Sequence, residues 1–227
     1  RLSDFKFVLL YGGNVKKRVL AGIAIVLCII LGIMFLPREV EELVGSNEKV
    51  SEAQIYQVKD DEVALIYNYS LQKAKAVYKD EVVYIPLNWT RSILNDKFYY
   101  SDDEKLLSYA LPTEIVYANF DNVDKNGKPL LIEKDGKAYI SIETVKTYTD
   151  IWTDIFADGN IKKIYINNNF GEFEEANIKS KSELRVDADM FSASIENVEL
   201  EKGEKVTVVE QKGKWDRVLT ETGLLGY

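Results

Sequence analysis

Histidine is absent from all 227 residues. Its absence excludes imidazole acid-base catalysis, Ser-His triads and every His-containing metal site. Cysteine occurs once, as Cys28, so no disulfide can form within the chain, and the region after it has nothing to brace it covalently. Small secreted eukaryotic domains usually rely on disulfides, so this usage points to bacterial export. Positive charge is also scarce. Lys and Arg number 29 against 37 Asp and Glu, a net charge of −8; residues 1–18 carry +4, which leaves −12 for the remainder. An acidic body without a basic patch excludes nucleic acid as a partner.

What the sequence does contain begins with VLAGIAIVLCIILGIMFL at residues 19–36, an apolar run with no charge or amide. As a helix it spans roughly 27 Å, close to the ~30 Å of a bilayer's hydrocarbon core. Lys16, Lys17 and Arg18 precede it, and Pro37, Arg38, Glu39, Glu41 and Glu42 follow. The positive-inside rule then predicts a signal anchor: residues 1–18 in the cytoplasm, 19–36 in the lipid, and the rest outside a bacterial cell membrane, single-pass type II. No Ala-x-Ala cleavage site follows the run, so a removable signal peptide fits less well.

Residues 37–57 are polar and acidic and read as a linker. From Glu62 onwards, short β-rich runs dominate. Val77-Tyr-Lys-Asp-Glu-Val-Val-Tyr-Ile-Pro-Leu87 aligns with Ile132-Glu-Lys-Asp-Gly-Lys-Ala-Tyr-Ile-Ser-Ile142 at an offset of 55, with Tyr84 on Tyr139. A short helical candidate follows each copy, at residues 88–94 and 143–148, and then a second hairpin. The expected fold class is an α+β stalk over 58–170, made of two strand-hairpin-helix-hairpin repeats at about 77–111 and 132–166. The motifs Tyr84-Ile-Pro-Leu87 and Gly136-Lys-Ala-Tyr-Ile140 resemble the repeat unit of the copper amine oxidase-like N-terminal domain, a bacterial stalk module. Despite that family's name, no copper is expected, because imidazole ligands are missing. Neither a metal nor any other cofactor is expected.

After a polar stretch at 171–180, read as a second linker, residues 181–227 turn β-rich again. Lys202-Gly-Glu-Lys-Val-Thr-Val208, Gly213-Lys-Trp-Asp-Arg-Val218 and Gly223-Leu-Leu-Gly-Tyr227 match, in order, the pattern of bacterial SH3-like (SH3b) domains. The resemblance implies an all-β barrel, incomplete because its last strand is expected after Tyr227. Trp215 and Tyr227 are the candidate ligand contacts there, with Trp89 at the first helix start as a third. Aromatics on half-buried strands more often pack than bind, and that reading stays open for all three.

Residues 122–133 fit an EF-hand loop at several positions but are flanked by strands, and Asn126-Gly127 reads equally well as a hairpin turn. Asp121-x-x-Asp124-x-Asn126-x-Lys128 approaches the acid motif of family 18 glycoside hydrolases, yet Lys128 stands where the proton donor must be. No catalytic site is therefore expected in this chain. Anchor, stalk and SH3-like module together resemble the N-terminal half of wall-acting family 18 glycoside hydrolases. That resemblance implies a membrane-anchoring, spacing and wall-targeting region of a longer protein, with the bilayer and peptidoglycan or another wall glycan as partners. The alternative is a non-enzymatic scaffold or sensor that binds a protein.

Overall fold

The computed structural model describes residues 46–59, 61–169 and 173–227. The chain opens with β1 (Lys49–Val50) and α1 (Glu52–Tyr56), followed by β2 (Glu62–Tyr67), β3 (Ser70–Lys79) and β4 (Val82–Pro86). Next, α2 (Leu87–Trp89) runs into a π-helical turn at Thr90–Leu94 and leads to β5 (Phe98–Ser101), β6 (Leu106–Ala110) and β7 (Ile115–Ala118). Then come β8 (Leu131–Lys134), β9 (Lys137–Ser141), α3 (Ile142–Tyr148), β10 (Trp152–Phe156) and β11 (Lys163–Asn167). The last part contains β12 (Glu174–Asn177), β13 (Ser182–Arg185), β14 (Ser194–Leu200), β15 (Lys205–Lys212), β16 (Trp215–Thr220) and β17 (Leu225–Gly226).

The β2 strand reads EVALIY and β11 reads KIYIN, and both are buried along nearly their whole length. Strands this apolar on both faces need cover on both sides, and the topology supplies it. They lie side by side and parallel in a seven-stranded sheet of order β10-β11-β2-β3-β4-β9-β8, in which every other pairing is antiparallel. Because side chains alternate, each strand feeds two cores. Val63, Leu65, Ile164 and Ile166 enter the first, with Phe98, Leu107 and Tyr109 of a separate β5-β6-β7 sheet and Ile142 and Val145 of α3. Ala64, Ile66 and Tyr165 enter the second, with Leu184, Ile195, Val206 and Val218 of the C-terminal strands.

The β3–β4 and β8–β9 hairpins meet through the β4–β9 pairing, with Ile85 opposite Ile140, and a helix follows each hairpin. Past the helices the two copies diverge. The β5–β6 hairpin leaves the main sheet, whereas β10–β11 returns to it against β2. The C-terminal strands form a four-stranded sheet, β12-β15-β16-β17, and a smaller one, β1-β14-β13. Arg185 and Tyr227 close the seam between them by exchanging backbone hydrogen bonds at 2.7 and 2.8 Å. Gly226 makes that approach possible, since a Cβ there would lie 2.6 Å from Leu184 Cγ. Residues 49–56, within the stretch read from sequence as a linker, form β1 and α1, and α1 buries Tyr56 in the second core.

The expected α+β fold class with a transmembrane helix is corrected here. Among the described residues 49% are strand and 11% helix, and no helix is long and apolar enough to cross a membrane. On the same finding the single-pass membrane localisation is set aside; the span 19–36 and the tail 1–18 lie outside the described residues. The helices stay short for local reasons. The Thr90 and Ser92 hydroxyls bond back to the Pro86 and Asn88 carbonyls at 3.0 and 2.8 Å, competing with the backbone ladder, and the chain turns extended at Asn95. In α3 the β-branched Thr144, Val145 and Thr147 lower helix propensity, and the chain is extended again by Thr149.

Tyr165 sits under the C-terminal strands and donates its hydroxyl to the Gly223 carbonyl at 3.1 Å. Burial pushes its phenol far above the ordinary range, and neighbouring Tyr56 raises it further. Burial likewise raises Tyr56. Both pKa values are higher folded than unfolded, so their contribution is complete below pH ~10 and is lost as pH rises beyond it. Each such group costs about 1.4 kcal/mol per pH unit once the unfolded phenol ionises. The expected outcome is cooperative alkaline unfolding, with far-UV circular dichroism and the last fraction of tyrosinate absorbance changing at one midpoint. Tyrosine ionisation completed while the dichroism stays native would contradict this.

Candidate functional site

The β2–β3 hairpin turns on Asn68 and Tyr69, at φ 45° and 60°, between paired Tyr67 and Ser70. A two-residue turn with both φ positive ordinarily places Gly second. A tyrosine there is strained by about 1 kcal/mol, and such strain persists only where packing enforces it. Tyr69 is nearly buried: its ring meets Phe173 edge-on at 5.2 Å and 81°, and lies 6.3 Å from Tyr165.

Beside this turn β11 ends at Asn167. The alternation that points Lys163 and Tyr165 towards the C-terminal strands carries the Asn167 carboxamide to the same face. Asn167 is 2% exposed, and neither its Nδ2 nor its Oδ1 has a hydrogen-bond partner. Burial raises the Tyr69 phenol, the nearby Asn167 amide opposes that rise, and Asp154 adds to it. The Tyr69 hydroxyl thus lies close to the amide. An unsatisfied amide in this position costs about 1–3 kcal/mol. Trp152, the cross-strand neighbour of Asn167, is 46% exposed.

These groups border a cleft of about 520 Å³ between β10–β11 and β15–β16, whose lining includes Tyr69, Trp152, Asp154, Asn167, Phe173 and Leu219. A narrower extension of about 230 Å³ continues past Tyr69 and Asn167 to Val209, Glu210 and Arg217. The Arg217 guanidinium lies 3.6 Å from the Glu210 carboxylate and over the Tyr227 ring at 5.7 Å, with its buried Nε unpaired. Asp154 is the single carboxylate lining the main cleft. An adjoining hollow shares Asp154, Thr207 and Leu219 with it and adds Glu175 and Glu221. Another concavity, about 380 Å³ near Leu87, Arg91, Tyr100 and Lys137, presents one unpaired neutral group, the Tyr100 hydroxyl.

The structure does not bring the three sequence candidates together. Trp89 packs edge-on against Tyr67 at 5.8 Å, with its Nε1 3.4 Å from Gln72 Oε1. Trp215 starts β16 opposite Lys212 and is half-buried, away from the cleft lining. Tyr227 is half-buried at the seam between the two C-terminal sheets, its hydroxyl 3.4 Å from Glu210. It meets the cleft extension through Glu210 and Arg217. Sequence reasoning missed Asn167, Trp152, Tyr69 and Phe173. The available signal was a carboxamide at an inward position directly after an apolar strand, in the Asn167-Asn168-Asn169 run.

The EF-hand-like segment is a turn. The Asp124 carboxylate accepts from the backbone N–H groups of Asn126 and Lys128, both at 2.8 Å, and these donors hold its carboxyl below the usual range. Val123 bridges Pro129 across it. No family model, curated protein or solved structure matches the chain.

Proposed function

We propose that this chain is a non-catalytic targeting and spacing region of a longer bacterial surface protein, and that it binds cell-wall glycan through the cleft between β10–β11 and β15–β16. The observation that carries this reading is Asn167, a buried carboxamide without a hydrogen-bond partner on a cleft whose lining includes Tyr69, Trp152 and Phe173. Glycan sites combine aromatic faces, which cover the apolar faces of pyranose rings, with fixed polar groups that orient hydroxyls and amides. The resemblance of the C-terminal strands to SH3-like wall-binding modules supports it. The resemblance of the whole arrangement to family 18 glycoside hydrolases suggests what the longer protein acts on.

The test is sedimentation of the full chain with purified peptidoglycan at low and moderate salt, beside the variant Asn167→Leu. The wild-type chain is retained at both salt concentrations and N167L is not. N167L is also more stable by about 1–2 kcal/mol, because the substitution removes an unpaired buried amide. No retention of the wild-type chain at either salt concentration overturns the reading.

One feature favours the alternative, a scaffold that binds a protein. Edge strand β7 exposes Ile115 and Tyr117 at 54% and 59%, and Tyr117 lies in register with Ser108 and, beyond it, exposed Tyr99. An open edge beside apolar side chains accepts an added strand.

A further inference from the structure

We propose that β7 is a self-association edge. Two copies of this chain pair their β7 strands antiparallel about a two-fold axis at Val116, which joins their β5-β6-β7 sheets into one. The inference goes beyond the glycan reading and does not depend on it.

The backbone register shows which groups are open. Across the tight β6–β7 turn the Leu111 N–H donates to the Glu114 carbonyl at 2.9 Å. Hydrogen-bonded and non-hydrogen-bonded pairs alternate along an antiparallel ladder. Counting from that turn, Tyr109–Val116 and Leu107–Ala118 exchange hydrogen bonds, whereas Ala110–Ile115 and Ser108–Tyr117 do not. The N–H and C=O groups of Ile115 and Tyr117 therefore point away from β6, to the side where β7 has no neighbouring strand among the described residues. A second β7 fits them in one register. Ile115 exchanges hydrogen bonds with the partner's Tyr117, Tyr117 with the partner's Ile115, and Val116 faces its own copy. Each exposed cross-strand pair is then aromatic against β-branched, a favourable combination.

Charge decides the occupant. Proteins blunt open edges with charged residues, and here the edges β10, β8, β12 and β13 carry Asp154, Glu133, Glu174 and Glu183 within the strand. On the far side of its sheet, β5 lies against the π-helical turn, whose Arg91 stands over the Tyr99 ring at 5.2 Å. β7 reads Ile-Val-Tyr-Ala and has no such guard. A cationic partner strand is drawn to the acidic edges. A second copy, itself carrying −8, is repelled from them and meets no like charge at β7, because Glu114 falls opposite the partner's Ala118. Four residues per strand cover well under the ~800 Å² per partner of a standard interface, so the pair is weak and reversible.

The experiment uses the full chain with its one cysteine replaced, Cys28→Ser. In that background Val116→Cys is expected to form a disulfide-linked dimer under mild oxidation, since the two Cα atoms face each other at about 4.5 Å. Ile115→Cys, about 8 Å from its own copy, is not. Sedimentation velocity reads the pairing without cross-links. The wild-type chain dimerises as its concentration rises, and added salt tightens the dimer by screening the shared negative charge. Tyr117→Lys, at an exposed position, keeps the wild-type melting temperature and weakens pairing about tenfold or more. The double variant I115K/Y117E sets opposite charges against each other across the axis and restores it. A wild-type chain that stays monomeric, with V116C uncross-linked, overturns the proposal. Association unchanged in Y117K overturns the assignment to β7, and cross-linking of I115C ahead of V116C overturns the register. Peptidoglycan sedimentation of the wild-type chain and N167L reports on the cleft alone, so either reading can fail without the other.

Discussion

Replacing Gly223 by alanine is expected to destabilise the fold by about 3–4 kcal/mol, from left-handed strain and overpacking together. Gly223 has φ +74°, and a Cβ there would lie 2.4 Å from Phe156 Cγ, with two further ring carbons within 2.7 Å. Phe156 cannot simply swing away, because its ring packs edge-on against Tyr165 at 5.7 Å and 84°. Nor can the turn shift freely. The Gly223 carbonyl receives the Tyr165 hydroxyl, its N–H donates to the Thr220 carbonyl at 3.0 Å, and the buried Thr220 hydroxyl accepts from the Leu224 N–H at 3.0 Å. Urea unfolding would show the loss as a lower midpoint at unchanged slope. For a body of this size the melting temperature falls by about 10 °C. A loss under about 1 kcal/mol would mean the turn relaxes in a way this packing does not allow.

The second large effect concerns Lys163. Its side chain is 4% exposed, and its ammonium lies 2.9 Å from Glu52 Oε2 and 5.3 Å over the Tyr56 ring. Glu52→Ala leaves a buried cation without its carboxylate, and losses of this kind run to about 3–5 kcal/mol. Glu52 itself is 31% exposed, so water partly replaces it, and the expected cost is at the lower end, about 3 kcal/mol. Glu52→Gln retains an acceptor and should lose about half as much. Lys163→Met added to Glu52→Ala should recover most of the loss, since an apolar side chain of similar length needs no partner. A double variant no more stable than Glu52→Ala alone would show that α1 docks by packing and not through the charge.

The strands were more legible in the sequence than the site. The repeated Tyr-Ile pairs at Tyr84-Ile85 and Tyr139-Ile140 fall in β4 and β9, and the alternation of Val206 and Val208 falls in β15. Those signals are local, resting on side-chain period and turn residues. What hides the cleft is a non-local fact. Which face of β11 looks toward the C-terminal strands is set by its parallel pairing with β2, from Lys163↔Ala64 to Ile166↔Tyr67, and no local pattern records it. Without that pairing Lys163 reads as a solvated charge and Asn167 as the start of a polar connection. With it, one becomes a buried ion and the other a buried amide. Tyr69 was concealed in the same way, because a tyrosine at the second place of a tight turn resembles an ordinary strand residue until its φ is known.

The parallel pairing of β2 with β11 also governs how the chain reaches its native state. Roughly one hundred residues separate the partners, so closing that loop is slow compared with zipping up the β3–β4 and β8–β9 hairpins. During synthesis β2 emerges early, pairs with β3 on one side, and waits with its other backbone edge and the EVALIY side chains uncovered until β11 leaves the ribosome. In that interval it is an open template for another nascent copy. The burden this topology imposes therefore falls on biogenesis, where yield at high expression and dependence on chaperones are decided.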